Sequence, residues 1–152
     1  MTIRLEGLDK VLEKLGSIEK VGQALRPEME MSGKLLVAYL KIYPPKTNTS
    51  QPFKTLKQRR FFFYALKAGI IEVPYRRRNQ LSKDWTYVIE NNGTLLRVGN
   101  NMQYGPLVQG DSSQQALFHR RNNWRTITSA RDEKFDDVKR TLESGIRRII
   151  NE

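Results

Sequence analysis

The residues best suited to do chemistry are cations and aromatic side chains concentrated in residues 54–85. Residues 54–83 carry nine lysines and arginines against one acid, so this segment holds a net charge of +8 out of +11 for the chain. The same segment contains four consecutive aromatic residues, Phe61 to Tyr64. Arginine forks bind phosphate or carboxylate groups, so both DNA and an acidic protein surface suit them. The alternative is a solvated basic surface that only keeps the protein soluble.

Groups that could support catalysis are few. His119 is the only histidine of the chain, whereas a catalytic triad or a histidine-based zinc site needs further partners. Asn122 and Asn123, close behind it, are compatible with a nuclease loop, but no second metal ligand accompanies them. Neither a phosphate-binding glycine loop nor a dinucleotide fingerprint is present. We therefore expect no enzymatic activity and no cofactor.

An acidic cluster near the C-terminus has a structural explanation that competes with metal binding. Its four carboxylates could in principle hold magnesium. They also lie near the start of a predicted helix, where the helix dipole favours negative charge. We therefore expect no metal site there. The cluster comprises Asp132, Glu133, Asp136 and Asp137.

Length and composition indicate one globular domain over residues 1–152. No apolar run approaches the roughly 20 residues of a membrane span, and the first ten residues lack the apolar core of a signal peptide. The absence of cysteine excludes disulfides and thiolate metal sites and suits a cytoplasmic origin. The formal charge of +11 favours an anionic neighbour: nucleic acid, an acidic protein surface or a membrane face.

The N-terminal third is predicted to be mostly helical. Residues 2–6 alternate between apolar and charged side chains and predict a short strand. Apolar residues recur at helical spacing over residues 8–18, and Gly16 is expected to interrupt that helix. A longer helix should follow, with a break just before Pro27. Gly33 within it would let another element approach closely.

The basic segment is predicted to begin as a helix and to continue as irregular chain. Residues 46–53 indicate an exposed loop. Thr55 and Gln58 form a capping-box pattern that opens a helix reaching about Ala68. Four successive aromatic residues span about 300° of a helix, so they require a second packing surface. Residues 70–84 are expected to be irregular and basic.

A hairpin is the clearest local prediction. The pair Asn92-Gly93 is typical of a two-residue hairpin turn. Pairing about that turn places Ile89 opposite Leu96, and the residues two positions further out opposite each other. One side of the hairpin should then be apolar. That side comprises Trp85, Tyr87, Ile89, Leu96 and Val98.

The rest of the chain is predicted to be a loop followed by a long helix. Residues 101–123 indicate a loop with one short helical turn. Ser129 to Asp132 offer a helix cap. Apolar residues then step by three or four to the end of the chain. They are Phe135, Val138, Leu142, Ile146 and Ile149. The expected class is α+β: a small antiparallel sheet with a central hairpin, packed by N-terminal helices and a long C-terminal amphipathic helix.

The order of several short motifs resembles the neck or tail-completion (head–tail joining) proteins of tailed bacteriophages. The motifs are KQRRFFFYAL, VPYRRRNQLSKDWT, NGTLLRVGN, YGPLVQG and ALFHRRNNW, followed by a terminal amphipathic helix. The resemblance covers about residues 55–126. Arg78-Asn79 and Asp84 depart from the family pattern, which usually has Thr-Gly and a small hydroxyl residue there. The matching positions are Pro74, Tyr75, Arg76, Arg77, Leu81, Trp85, Tyr104, Val108, Gly110, His119 and Trp124.

The resemblance implies a structural virion protein that forms a ring at the head–tail junction, around the DNA channel. Such a ring-forming neck, connector, tail-completion or tail-terminator subunit would be made in the cytoplasm of the bacterial host. Its expected partners are further copies, portal-side, neck or tail proteins and the packaged DNA backbone, without a membrane. Residues 54–84 and 101–128 are expected at assembly interfaces.

Individual side chains are expected to face a partner protein or DNA. They are Lys57, Arg59, Arg60, Phe61, Phe62, Arg76, Arg77, Arg78 and Lys83. The alternative hypothesis is a non-specific nucleic-acid-binding protein that uses residues 54–83. No helix-turn-helix or zinc-finger pattern supports sequence-specific DNA reading.

Overall fold

The structure is a computed structural model that describes residues 5–45, 53–68 and 79–151. The chain divides into two compact units, residues 1–44 with 81–152 and residues 45–80. The larger unit combines helices with one antiparallel hairpin, which confirms the α+β class. The single domain predicted from the sequence stays a prediction. Within the described residues, no helix is both long enough and apolar enough to cross a membrane.

Three helices open the larger unit: α1 (Leu8–Leu15), α2 (Ile18–Ala24) and α3 (Arg26–Lys41). Gly16 ends α1 in the left-handed conformation, with φ 75°, which confirms the predicted interruption. The Ser17 hydroxyl then accepts a hydrogen bond from the third residue of α2 and caps that helix. The proline at the start of α3 confirms the predicted break.

The N-terminal helices pack against the C-terminal half of the last helix, α8 (Ile127–Asn151). Leu5 packs against this core without forming a strand, and the remainder of the strand predicted for residues 2–6 lies mostly outside the described residues. Ile18 is 64% exposed, so the apolar stripe predicted over residues 8–18 was wrong at its end. The buried members of this core are Val11, Val21, Leu25, Ile146 and Ile149.

The hairpin consists of β1 (Trp85–Glu90) and β2 (Leu95–Asn100), paired antiparallel. Its register is confirmed, because Ile89 pairs with Leu96. The two-residue turn was wrong, since the last pair joins the strand ends and leaves a four-residue loop. A 3₁₀ turn, Asn91–Gly93, occupies most of that loop. All three of its residues have positive φ, which asparagine and glycine tolerate.

The apolar side of the hairpin packs on α3, where Gly33 permits a close approach. A Cβ atom at Gly33 would lie 2.6 Å from the ring of Tyr87, so only glycine fits under that ring, as predicted. Trp85 is 4% exposed and belongs to the same core. The buried members of this second core are Val37, Tyr39, Leu40, Trp85 and Ala130.

Two segments are more helical than expected. A single turn, α5 (Gln80–Lys83), precedes the hairpin, so the irregular chain predicted for residues 70–84 was wrong at that turn. It follows Asn79, which adopts a left-handed conformation with a φ of 56°, and it buries Leu81. Residues 101–123 contain two short helices rather than one helical turn. They are α6 (Gly105–Gln109) and α7 (Leu117–Arg121).

Helix α8 begins earlier than predicted. Thr126 and Ser129 cap it reciprocally: the Ser129 N–H donates to Thr126 Oγ1 over 3.0 Å, and the Thr126 N–H donates to Ser129 Oγ over 2.9 Å. The cap predicted from Ser129 to Asp132 was therefore wrong, and the first turn holds no acid. The predicted apolar stripe is confirmed. Val138, Leu142, Ile146 and Ile149 are buried, and Phe135 is half-buried.

Candidate assembly interface

The cationic helix of the smaller unit, α4 (Leu56–Lys67), starts at the predicted capping box. The Gln58 N–H donates to Thr55 Oγ1 over 3.1 Å. The Gln58 side chain returns a bond, because its Oε1 accepts from the Lys54 N–H over 3.1 Å. Two N–H groups at the start of the helix are thereby satisfied, which fixes where α4 begins.

One side of α4 presents cations and aromatic rings together. Arg60, Phe61 and Tyr64 lie three, four and seven residues after Lys57, so the four residues share one side of the helix. All four are exposed, with Phe61 at 66% and Tyr64 at 67%. We call these four residues the cation–aromatic face. It combines charge with large uncovered rings, a combination enriched in protein interfaces.

The other phenylalanines of the smaller unit stabilise one another. The ring centroids of Phe53 and Phe62 lie 5.3 Å apart, and Phe62 and Phe63 meet edge to face at 5.5 Å. These separations are those of favourable aromatic pairs. Phe62 is half-buried, whereas Phe63 stays largely exposed. The predicted partner-facing Phe62 is therefore partly used inside its own unit.

The cations of α4 differ from those of α8 in their pairing. No described acid forms an ion pair with Lys54, Lys57, Arg59 or Arg60. On α8, five cations have carboxylate partners at 2.6 to 3.6 Å. Residues 53–68 contain no acid at all. Among the described residues, the cations of α4 therefore have no acidic partner, and their positive charge suits an anionic partner.

The other predicted interface residues are only partly described. Arg76, Arg77 and Arg78 lie outside the described residues, and so do Pro74 and Tyr75 of the motif. Lys83 is described. It ends α5 and is exposed, as an interface residue must be.

The C-terminal end of α3 is the point at which several motif elements meet. The last carbonyls of a helix lack partners within the helix. Here Arg125 Nη1 donates to the Tyr39 carbonyl over 2.9 Å, and Gln109 Nε2 donates to the Leu40 carbonyl over 2.9 Å. The Ser82 hydroxyl donates to the next carbonyl over 3.2 Å. Three distant side chains thus cap α3 and hold α5, α6 and the start of α8 to it.

Gln109 links this cap to the hairpin. Its side chain is almost completely buried, at 1% exposure. Its Oε1 accepts a hydrogen bond from the Trp85 indole N–H over 2.9 Å while its Nε2 caps α3. One amide therefore satisfies two buried groups from different elements. The predicted motif residue Trp85 is thus a core residue, positioned by a glutamine that sequence analysis did not single out.

A third core holds the remaining motif residues. Trp124 is buried, and its ring centroid lies 4.8 Å from that of Tyr43 and 5.3 Å from that of His119. Gln115 Nε2 donates to the carbonyls of Val108 and Trp124, at 2.9 and 3.1 Å. Burial lowers the pKa of His119. The only histidine is therefore a packed side chain among aromatic and amide neighbours.

Gly110 has a steric reason for being glycine. A Cβ atom there would overlap the Pro106 carbonyl oxygen and lie 2.9 Å from Gln114 Oε1. The loop that follows is held by Asp111, whose carboxylate accepts from Ser113, and these hydrogen bonds lower the pKa of Asp111. Short-range hydrogen bonding thus accounts for this part of the motif.

The predicted interface over residues 101–128 does expose apolar side chains. Tyr104, Leu107 and Leu117 are all exposed. The N–H of Ala116 donates to the Leu107 carbonyl over 2.9 Å, so the two leucines belong to one neighbourhood. This surface offers one exposed ring, Tyr104, against two on the cation–aromatic face.

Two of the four acids in the acidic cluster of α8 form ion pairs. Asp132 pairs with Arg131 at 2.6 Å, and Asp137 pairs with Lys134 and Arg140 at 3.0 and 2.6 Å. These hydrogen bonds lower the pKa of both carboxyl groups. Within the described part of the chain, no three potential metal-ligating side chains come together.

Comparisons with known proteins give no match: no protein-family model, no curated protein and no solved structure is similar to this chain.

Proposed function

We propose that this chain is a structural virion protein of a tailed bacteriophage, a ring-forming neck, connector or tail-completion subunit that joins head and tail around the DNA channel. It carries out no catalysis and acts through its surfaces. It is made in the bacterial cytoplasm and ends in the virion. The observation that carries the proposal is the cation–aromatic face of α4, which is large, exposed and without ion-pair partners among the described residues.

The composition of that face supports a role in assembly. Aromatic and arginine side chains dominate the energetically important positions of protein interfaces. Burying two large rings in water-excluding contacts contributes more than exposed ion pairs, whose individual contributions are about 0–1 kcal/mol. A purely solubilising surface would need the cations but would gain nothing from exposing Phe61 and Tyr64.

The arrangement of the motif residues supports the same proposal. Trp85, Gly110, His119 and Trp124 lie in packed positions of the larger unit. They position the hairpin, α6 and α7 through buried hydrogen bonds and ring contacts. The shared order of motifs would then reflect a shared scaffold, and the surfaces on that scaffold would make the contacts.

The decisive experiment removes the gene from the phage that encodes the chain. We expect filled or emptied heads and separate tails in electron micrographs, and joined particles on complementation with the wild-type gene. Complementation with Lys57→Glu/Arg60→Glu should fail, whereas Lys34→Glu/Lys41→Glu, exposed cations of α3, should succeed with the same charge change. Normal infectious particles from the deletion strain would overturn the proposal.

Non-specific nucleic-acid binding remains a second candidate because the α4 cations have no acidic partners among the described residues. Each neutralised phosphate of duplex DNA contributes about −0.9 to the slope of log affinity against log salt concentration. Four α4 cations would therefore give a slope no steeper than about −4. A purified monomer that binds duplex DNA with such a slope, in a phage that assembles without it, would favour this candidate.

A further inference from the structure

The larger unit carries an acidic surface opposite in character to α4. Asp9 and Glu13 lie four residues apart on α1, so they share one side of that helix. Glu6 precedes the helix and Glu19 begins α2, and all four carboxylates are exposed. None of them forms an ion pair with a described residue. We call these four residues the acidic face.

The lysines of this region do not cancel the acidic face. Lys14 is committed elsewhere, because its Nζ donates to the Ile149 carbonyl over 2.8 Å at the end of α8. Lys10 and Lys20 stand beside the acids, so residues 5–20 hold four carboxylates against three lysines, one of which, Lys14, is bonded elsewhere. In a chain of net charge +11, this is an unusual local excess of negative charge.

An uncovered apolar side chain accompanies the acids, as rings accompany the cations on α4. Ile18 directly precedes Glu19 and is 64% exposed at the start of α2. The acidic face therefore offers carboxylates beside an aliphatic side chain. The cation–aromatic face offers ammonium and guanidinium groups beside rings. The two surfaces carry opposite charges, and each also exposes apolar side chains that can pack against those of the other.

We propose that the cation–aromatic face of one copy binds the acidic face of a second copy. The inference deepens the proposed function and rests on it for the meaning of the contact. Lys57 and Arg60 meet Asp9 and Glu13, while Phe61 and Tyr64 cover Ile18. The occupant of α4 is thus another molecule of the same chain.

A contact of this kind can build a ring. Two different surfaces meet, so the contact is heterologous, and an open chain of copies keeps one unused surface at each of its two ends. Heterologous contacts build closed rings when the rotation between copies closes, and filaments when it does not. A contact between two identical surfaces would stop at a dimer. The attraction between the charged groups of this contact should weaken as the salt concentration rises, since the screening length is about 8 Å at physiological ionic strength.

The test is a charge exchange between two variants. Variant one carries Lys57→Glu and Arg60→Glu, and variant two carries Asp9→Lys and Glu13→Lys. Sedimentation velocity of the nuclease-treated protein in low salt measures association, and circular dichroism with a melting curve verifies folding. If the lysine variant unfolds, Asp9→Asn/Glu13→Gln replaces it, because that variant removes the two negative charges without reversing them.

The wild-type chain should self-associate, and salt should weaken that association. Each charge-reversed variant alone should associate at least about tenfold more weakly, since two attractive pairs become repulsive. Their equimolar mixture should recover association, because each reversed face then meets its complement. Matched reversals outside both faces, Lys34→Glu/Lys41→Glu and Glu133→Lys/Asp136→Lys, should behave like the wild type.

Several results would overturn the inference. A wild-type chain that stays monomeric at its highest soluble concentration in low salt has no such contact. Unchanged association in both variants, or no recovery on mixing, assigns the contact to other surfaces. Association that disappears after nuclease treatment assigns α4 to nucleic acid. If, in any of these cases, phage without this gene still produce heads and tails that are not joined, the proposed function stands and only this inference fails.

Discussion

The buried amide of Gln109 allows the sharpest stability prediction. Replacing Gln109 by leucine keeps a similar volume but removes two hydrogen bonds, one from the Trp85 indole N–H and one to the Leu40 carbonyl, both 2.9 Å long. Both partners are buried and would be left unsatisfied. Each such group costs about 1–3 kcal/mol. We therefore expect Gln109→Leu to lower the free energy of unfolding by roughly 2–6 kcal/mol.

The measurement can be confined to the larger unit. The chain has two tryptophans, Trp85 and Trp124, and both belong to that unit. Urea denaturation followed by tryptophan fluorescence therefore reports its unfolding directly. A parallel series uses Trp85→Phe, which removes the indole N–H together with the pyrrole ring. The lost hydrogen bond should cost about 1–3 kcal/mol, and the missing buried ring atoms add to that cost.

The double variant decides whether the two residues act through each other. In Trp85→Phe/Gln109→Leu both partners of the 2.9 Å hydrogen bond are absent, so no indole N–H is left unpaired. The combined cost should therefore be smaller than the sum of the single costs. Additive costs, or a loss below about 1 kcal/mol in Gln109→Leu, would refute the reasoning that this amide satisfies two buried groups.

Three further predictions concern packing and pH. Trp85→Ala should lower the free energy of unfolding by about 3–5 kcal/mol, because Trp85 is buried in the hairpin core, and an unchanged melting temperature would contradict this. Gly33→Ala should cost about 1–3 kcal/mol because the new methyl group meets the Tyr87 ring, whereas Gly99→Ala, which meets nothing within 4 Å, serves as the near-neutral control. Burial lowers the pKa of His119 in the folded state, so stability should be full above pH 6.5 and fall as the pH drops through the folded pKa. His119→Gln should flatten that dependence below pH 6.5, and an unaltered slope in urea titrations would show that the histidine does not cause it.

Local sequence rules predicted those elements that depend on near neighbours. Alternation and the Asn92-Gly93 pair sufficed for the register of β1 and β2. They did not predict the four-residue turn, because Asn91 also adopts a left-handed conformation that the two-residue pattern ignores. Gly16 and the proline of α3 divided the N-terminal helices correctly, since these residues act on their own backbone.

Features that depend on distant partners were not predictable. Gln109 and Gln115 look like surface residues by type, yet both are buried. Both can be buried because the fold places carbonyl groups beside their amides. Gln109, for example, donates a hydrogen bond to the Leu40 carbonyl, 69 residues away in the sequence. The start of α8 was missed for a related reason, because Thr126 and Ser129 cap each other and neither signal is strong alone.

The candidate interface, too, was predictable only where it depends on near neighbours in the sequence. The capping box and the excess of cations predicted a basic helix at α4, and the absence of any acid in residues 53–68 is visible in the sequence. A run of four aromatic residues could not reveal which rings stay uncovered. Phe62 packs with Phe53 while Phe61 and Tyr64 remain exposed, which only the arrangement of the smaller unit decides.

Stability and assembly should consequently respond to different substitutions. The groups that hold the larger unit together at the end of α3 are buried hydrogen-bonding side chains, such as Gln109, and they offer no surface to a partner. The exposed cations of α4, such as Lys57, form no ion pair with a described acid, so neutralising them removes no described interaction. Surface substitutions of this kind usually change stability by less than about 0.5 kcal/mol. A defect in particle joining caused by them therefore reports a lost contact between molecules rather than a damaged fold.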